Sequence, residues 1–256
     1  MAQLQTHTGT GTGYVPGVDA SAFFSCSGLE AYYGDSYIVQ NIGFAIPEGQ
    51  ILALLGRNGA GKTSTLRCIA RASTPELRKG EVWLDGAPLH TMANHQAANA
   101  GVQLVQEDRR IIPGMTVEEN LRLATISDTS GAGWSFERIF DLFPRLAERR
   151  KQEGTTMSGG EQQMLAIARA LARDVKLLLL DEPYEGLAPV VRQDIAKALM
   201  EVRQSGITSI IVEQNAVAAL QISDRAVILD TGEVAYDGTA HEVLDDEDLR
   251  HRYLAI

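Results

Sequence analysis

Residues 51–71 constrain this chain more tightly than any other stretch. Ile51 to Leu55 is an unbroken apolar run of strand length, Gly56-Arg57-Asn58-Gly59-Ala60-Gly61-Lys62-Thr63 follows it, and the helical run Ser64 to Arg71 comes next. This is the phosphate-loop pattern G-x-x-x-x-G-K-[ST] in the strand-to-helix setting it requires. Its glycines let the loop curl until successive backbone N–H groups converge on phosphate oxygens, and the helix N-terminus adds a favourable dipole. Lys62 is expected to reach the β- and γ-phosphates and the Thr63 hydroxyl to bind Mg²⁺. Gly56, Arg57, Asn58, Gly59, Ala60, Gly61, Lys62, Thr63 and Ser64 are therefore the candidate nucleotide-binding segment.

The rest of the chain reads as the scaffold for such a loop. Short apolar runs at Val102 to Val105, Leu177 to Leu180, Ser209 to Val212 and Ala226 to Leu229 alternate with amphipathic stretches, which predicts an α/β fold with a parallel sheet flanked by helices. Glu81 to Leu84 before Asp85-Gly86, and Glu233 to Tyr236 after Thr231-Gly232, read as hairpin arms. Between the second and third core strands the sequence is helical in character. Val117 to Ala124 forms one helix, and the spacing of Phe136, Ile139, Phe140, Phe143 and Leu146 puts large apolar groups on one helical face, as core of an inserted lobe or as a partner groove. Residues 1–25, with Thr8-Gly9-Thr10-Gly11-Thr12-Gly13, carry too little apolar content to pack and are expected to be a flexible tail.

Charge and composition remove several classes of function. The chain of 256 residues is 45% hydrophobic with a formal charge of −10, so nucleic acid is not the expected ligand. Its apolar runs are strand-sized, well below a membrane span, and Met1 to Thr10 lacks the pattern of a secretory signal, so a cytoplasmic location is expected. Cys26 and Cys68 belong to no C-x-x-C pair and are expected to be buried, without a redox role. His90, His95, His241 and His251 lie in polar or charged stretches, where solvated surface is the expectation.

Two further segments carry chemistry. Leu177 to Leu180 runs into Asp181-Glu182-Pro183, which places two carboxylates at the carboxyl edge of the sheet, where open α/β folds bind ligands. Asp181 suits the magnesium, and Glu182 suits a general base that polarises water for attack on the γ-phosphate. The second segment is Met157-Ser158-Gly159-Gly160-Glu161-Gln162-Gln163. Ser158 and Glu161 form a capping box, and the helix start they fix is a second candidate anion site.

Ser158 to Gln163, standing after a phosphate loop and before Leu-Leu-Leu-Leu-Asp-Glu-Pro, resembles the ATP-binding cassette proteins. The resemblance covers Ser27 to the C-terminus. It implies a P-loop NTPase fold of the ABC nucleotide-binding type over residues 26–256: a mainly parallel core sheet, an antiparallel β subdomain, and a helical subdomain inserted at about 107–173. It implies ATP and Mg²⁺ as ligands, Tyr33 stacking on adenine, and Gln106 joining Thr63 and Asp181 around the metal. It implies too that Ser158, Gly159, Gly160 and Glu161 act on the γ-phosphate held by a partner, so two cassettes complete one site.

Within that family, Gly154 to Leu171, Glu185-Gly186-Leu187-Ala188-Pro189, Val212-Glu213-Gln214-Asn215 and Tyr253-Leu254 look like the smaller ATPase of branched-chain amino acid importers, with urea and amide importers similar. Such an ATPase pairs with a second cassette, works on two membrane permeases at the cytoplasmic face, and indirectly serves a substrate-binding protein. A soluble cassette of the iron–sulfur cluster assembly type is the alternative of another class. The chain departs from the wider cassette pattern in carrying Gln214 where most have histidine, and Ala188 where many have aspartate. Gln214 is therefore expected to act beside Glu182 and Lys62 in a site slower than its partner's.

Overall fold

The computed structural model describes residues 22–126 and 131–254. Among the described residues ten strands form two sheets. The strands are β1 (Phe24–Tyr33), β2 (Ser36–Ile46), β3 (Ile51–Gly56), β4 (Glu76–Leu84), β5 (Ala87–Pro88), β6 (Val102–Val105), β7 (Leu177–Asp181), β8 (Thr208–Val212), β9 (Arg225–Asp230) and β10 (Glu233–Thr239). The helices are α1 (Lys62–Ile69), α2 (Asn94–Asn99), α3 (Val117–Thr125), α4 (Phe136–Leu142), α5 (Pro144–Glu148), α6 (Gly159–Leu171), α7 (Pro189–Gln204), α8 (Ala216–Leu220), α9 (Ala240–Asp245) and α10 (Glu247–Leu254). No helix among the described residues is long and apolar enough to cross a membrane.

The larger sheet has the order β10-β9-β3-β8-β7-β6. Five of its strands are parallel, and β10 returns antiparallel on β9 through the Thr231-Gly232 turn. Each of β7 and β8 is buried along its whole length, as expected for strands covered on both faces. Because β3 lies between β8 and β9, the loops after β3, β7 and β8 open at one carboxyl edge. The phosphate loop, Asp181-Glu182 and Gln214 therefore start as neighbours.

The smaller sheet, β2-β1-β4-β5, is antiparallel and packs its buried faces on α1 and the core strands. Its first strand includes Phe24 and Ser25, both buried, so the sheet takes in two residues expected to belong to the tail. Residues 1–21 of that expected tail lie outside the described residues. Cys26 and Cys68 are buried, and burial pushes both thiols up to about 12, which leaves them inert at neutral pH. His90 departs from the expected solvated surface: it is half-buried, its Nδ1 lies 3.2 Å from the Val82 amide nitrogen, and its ring meets Trp83 edge-on.

Helices α3–α6 lie between β6 and β7 in the chain, in the stretch expected to form an inserted lobe. The aromatic stripe does not run through one helix, because Pro144 biases Phe143 out of the helical region, to φ −123°, ψ 75°, and splits the stretch into α4 and α5. Ile139, Phe143 and Leu146 are core, while Phe136 and Phe140 are half-buried against it. Three members of the stripe thus pack into a core shared with β7, β8 and α7, and two keep part of their surface exposed. A polar peg sets the lobe's geometry: Asn120, with no exposed surface, accepts from the Ile112 amide at 3.1 Å and donates to the carbonyls of Met115 and Thr116 at 3.2 and 3.0 Å. Asn120→Ala leaves these half-buried backbone groups without that partner and is expected to destabilise the protein by about 1–3 kcal/mol. Denaturant unfolding measures the loss, and ATP affinity, set elsewhere, should be unchanged.

Candidate nucleotide site

The loop after β3 is held in shape before any ligand arrives. A Cβ at Gly56, where φ is +143°, would stand 2.3 Å from the Leu229 carbonyl oxygen, so glycine is required where the loop leaves the sheet. Ala60 donates its amide to the Arg57 carbonyl at 3.1 Å, Gly232 donates to the Ala60 carbonyl at 3.2 Å, and Thr65 Oγ1 donates to the Gly61 carbonyl at 2.8 Å. Lys62 folds back over the loop, its Nζ donating to the carbonyls of Gly56 and Arg57 at 2.9 and 3.2 Å. The ammonium is thus held by the loop's own carbonyls at the N-terminus of α1.

The charges around it are unbalanced. Burial lowers the Lys62 pKa, and the carboxylates of Glu182, Asp181 and Glu213 pull it back up. Asp181 is buried, and desolvation raises its pKa against the hydrogen bond it accepts from Thr63 Oγ1 at 2.8 Å and against Arg67. A hydroxyl and a desolvated carboxylate in contact are the hard-oxygen donors that Mg²⁺ prefers. Thr63 and Asp181, two of the three expected metal ligands, therefore meet. Gln106 follows the Val105–Leu180 pair in the sheet register, which sets its backbone beside Asp181, and its side chain lines a neighbouring groove.

A cleft of ≈ 350 Å³ opens over this loop, lined by Tyr33, Ile38, Asn58, Gly59, Gly61, Lys62, Thr63, Ser64, Glu182 and Gln214. Tyr33 stands at its exposed rim, where its hydroxyl accepts from Arg67 Nη1 at 3.3 Å and its ring is open for stacking. Glu182 holds φ +49°, an uncommon conformation for a residue with a side chain, at the end of β7. Gln214 Nε2 donates to Glu182 Oε2 at 2.9 Å. The glutamine that replaces the more common histidine is thus bonded to the candidate base.

Ser158, Gly159, Gly160 and Glu161 are absent from the lining of this cleft. Ser158 caps α6 in the expected box, donating through Oγ to Glu161 Oε2 at 2.8 Å. Glu161 is buried, and its other oxygen pairs with Arg149 Nε at 2.7 Å, so both oxygens are engaged by its own chain. A Cβ on Gly160 would stand 2.6 Å from Val191 Cγ1, so close packing of α6 on α7 alone demands glycine there. The guanidinium of Arg109 lies against Gly159, and its Nε donates to Gln163 Oε1 at 3.2 Å, which joins the segment after Gln106 to α6.

Two residues carried no role in the sequence reading and belong to this region. One is Arg109. The other is Glu213, whose carboxyl is pushed up to about 7, chiefly by burial and further by Glu182, against the backbone amides of Tyr184, Gln214 and Asn215. A charged residue directly after the apolar run Ile210-Ile211-Val212 that ends β8 is the one local sign of it.

Fold and cleft together define an ATP-hydrolysing cassette, and the chain belongs to the ABC transporter family, whose profile matches residues 39–185. It is 37% identical over 227 residues to the high-affinity branched-chain amino acid transport ATP-binding protein BraG of Pseudomonas aeruginosa, a match that covers 88% of this chain and 97% of BraG. It is 35% identical over 221 residues to the probable branched-chain amino acid transport ATP-binding protein LivF of Archaeoglobus fulgidus, covering 86% and 93%. Its fold matches the solved structure of a nucleotide-free ATP-binding cassette from an ABC transporter with a TM-score of 0.78 at 21% identity, over 91% of this chain and 98% of that one.

Proposed function

We propose that this chain is the ATPase subunit of an importer for branched-chain amino acids, working at the cytoplasmic face of the membrane with a second cassette, two permeases and, indirectly, a substrate-binding protein. The observation that carries the reading is the separation of two halves of one chemistry. The phosphate loop, Glu182 and Gln214 share a cleft, while Ser158 to Gly160 cap a helix outside it. Such a chain needs a second cassette to bring a capping segment over its nucleotide. The cargo is inferred from likeness to BraG and LivF.

In this reading Tyr33 stacks on adenine and the amides of residues 56–64 cradle the phosphates, with Lys62 swinging from its loop carbonyls to the β- and γ-oxygens. Thr63 and Asp181, with Gln106 as a further oxygen, would hold Mg²⁺, which when bound would supply positive charge against those phosphates. Glu182 polarises the attacking water, and Gln214 keeps the carboxylate aimed by donating to one of its oxygens. Gln214 is neutral, so it orients the base and adds no positive charge to the transition state, which makes this site the slower of the pair.

The permease dock combines the half-exposed Phe136 and Phe140 of the lobe with the groove beside Gln106. That groove is lined by Gln106, Arg109, Arg110, Ala124, Arg169 and Arg173 among others. Its walls come from the core sheet on one side and the lobe on the other, so a segment seated there feels the loop that senses the γ-phosphate. Its arginines suit an acidic stretch of permease.

Reconstitution in proteoliposomes with both cassettes, both permeases and the binding protein tests the reading. ATP-driven uptake of leucine that stops with Lys62→Ala supports it. Uptake of urea or an amide in place of leucine replaces the cargo, and failure to associate with any permease overturns the transport role.

A further inference from the structure

We propose that Glu213 is a positioning residue for hydrolysis, a buried acceptor that clamps the loop carrying Glu182 to the loop carrying Gln214. The inference rests on the reading of Glu182 as the base.

The clamp is visible as three cross-links between the ends of β7 and β8. The Glu182 amide donates to the Val212 carbonyl at 2.9 Å. Two residues along one loop, the Tyr184 amide donates to Glu213 Oε1 at 2.7 Å. One residue along the other, Gln214 Nε2 donates to Glu182 Oε2 at 2.9 Å. Every residue from Val212 to Gln214 thus bonds to Glu182 or to its second neighbour. Glu213 is 4% exposed and does not line the cleft, so it stands back from the nucleotide and acts through its neighbours.

Its chemistry explains why the position needs an acceptor. Glu182 holds φ +49°, which a residue with a side chain adopts at a cost and keeps only where its surroundings dictate it. The turn after it sends the Tyr184 N–H into a buried space, where an unpaired donor is costly. Glu213 Oε1 satisfies that donor and so fixes the peptide that follows the strained residue. Because Glu213 and Gln214 are adjacent, anchoring the first fixes the origin of the second, and the amide that aims the base starts from a held backbone. The charged groups facing Glu213 are Glu182 and Lys62, both in the cleft, with the Tyr184 hydroxyl nearby.

The test compares Glu213→Gln with Glu213→Met in the assembled two-cassette complex, with Glu182→Gln as the benchmark. Glutamine keeps an oxygen for the Tyr184 amide. Methionine keeps the length and volume, suits a buried site, and removes the acceptor. Glu213→Met is expected to lower kcat for ATP hydrolysis by about 10- to 100-fold, with the ATP dissociation constant within about twofold because the phosphate loop is untouched. Glu213→Gln is expected to restore kcat to within about threefold of the starting protein. Full kcat in Glu213→Met overturns the proposal, as does a parallel loss of ATP binding and kcat, which marks a general structural role. Glu213→Gln as impaired as Glu213→Met also overturns it, since the acceptor would then not be what matters. Undiminished hydrolysis by Glu182→Gln is a separate failure: it removes the base itself, whatever the Glu213 variants do.

Discussion

Glu182→Gln is expected to lower ATP hydrolysis by the assembled complex about a thousandfold and to leave ATP bound at this chain's cleft. The substitution keeps the shape at the end of β7. It keeps an oxygen for the bond from Gln214 Nε2, so the side chain stays where it is. It removes the basic lone pair, and a neutral amide cannot take a proton from the attacking water. Lys62→Ala should fail differently. Removing the ammonium that stands over the loop carbonyls deletes a charge-assisted contact to the phosphates, so ATP affinity is expected to fall about a hundredfold and hydrolysis with it. Equilibrium binding of ATP and single-turnover hydrolysis on the two variants separate the cases: one protein that binds and does not cleave, another that does neither. Tight binding retained by Lys62→Ala would mean the lysine is not a phosphate ligand.

The parts of this molecule that were legible in the sequence are those where a local rule and the fold agree. A run such as Leu177 to Leu180 is buried on both faces because a parallel strand covered by helices has no solvent side, and its apolar continuity says so. Ser158 and Glu161 satisfy the helix N-terminus by themselves, so the box is readable from spacing. The same box already committed Glu161 to its own chain, and reading Glu161 as a ligand for a partner's nucleotide neglects that its oxygens are taken by Ser158 and Arg149.

The aromatic stripe shows the opposite failure. A periodicity of helical spacing was carried through Pro144, although the residue before proline is driven from the helical region, and the result is two helices set at a break. β1 alternates only in short pieces, Phe24-Ser25-Cys26-Ser27 and Leu29-Glu30-Ala31, because register shifts in its pairing with β2 reset the side-chain alternation between them. Glu213 was hidden for another reason. Its role depends on where Tyr184, far away in sequence, sends its amide after the unusual backbone of Glu182, and no pattern within one strand records that.

Ser158→Arg is expected to erase the gain in hydrolysis that a second cassette provides, while leaving ATP binding at this chain's own cleft intact. Ser158 does not line that cleft, so the added side chain does not approach the local phosphates. It does fill the space in front of the α6 N-terminus, where Ser158 is exposed and Gly159 presents no side chain beside the Arg109 guanidinium. Replacing serine also breaks the cap, which costs about 1 kcal/mol, and that loss must be separated from the block. Ser158→Ala makes the separation: it loses the same cap and leaves the space empty. The expected order of partner-stimulated hydrolysis is therefore the unmodified chain, then Ser158→Ala with a partial loss, then Ser158→Arg at the level of the isolated subunits. Steady-state ATPase measured with and without the second cassette reads all three. Because Gly160 is required by Val191 as well as by any approaching phosphate, Gly160→Ala would confuse packing with recognition, and Ser158 is the better probe. A Ser158→Arg chain that is stimulated as fully as the unmodified one would show that this helix end faces no nucleotide, and the two-cassette assembly would have to be built on another surface.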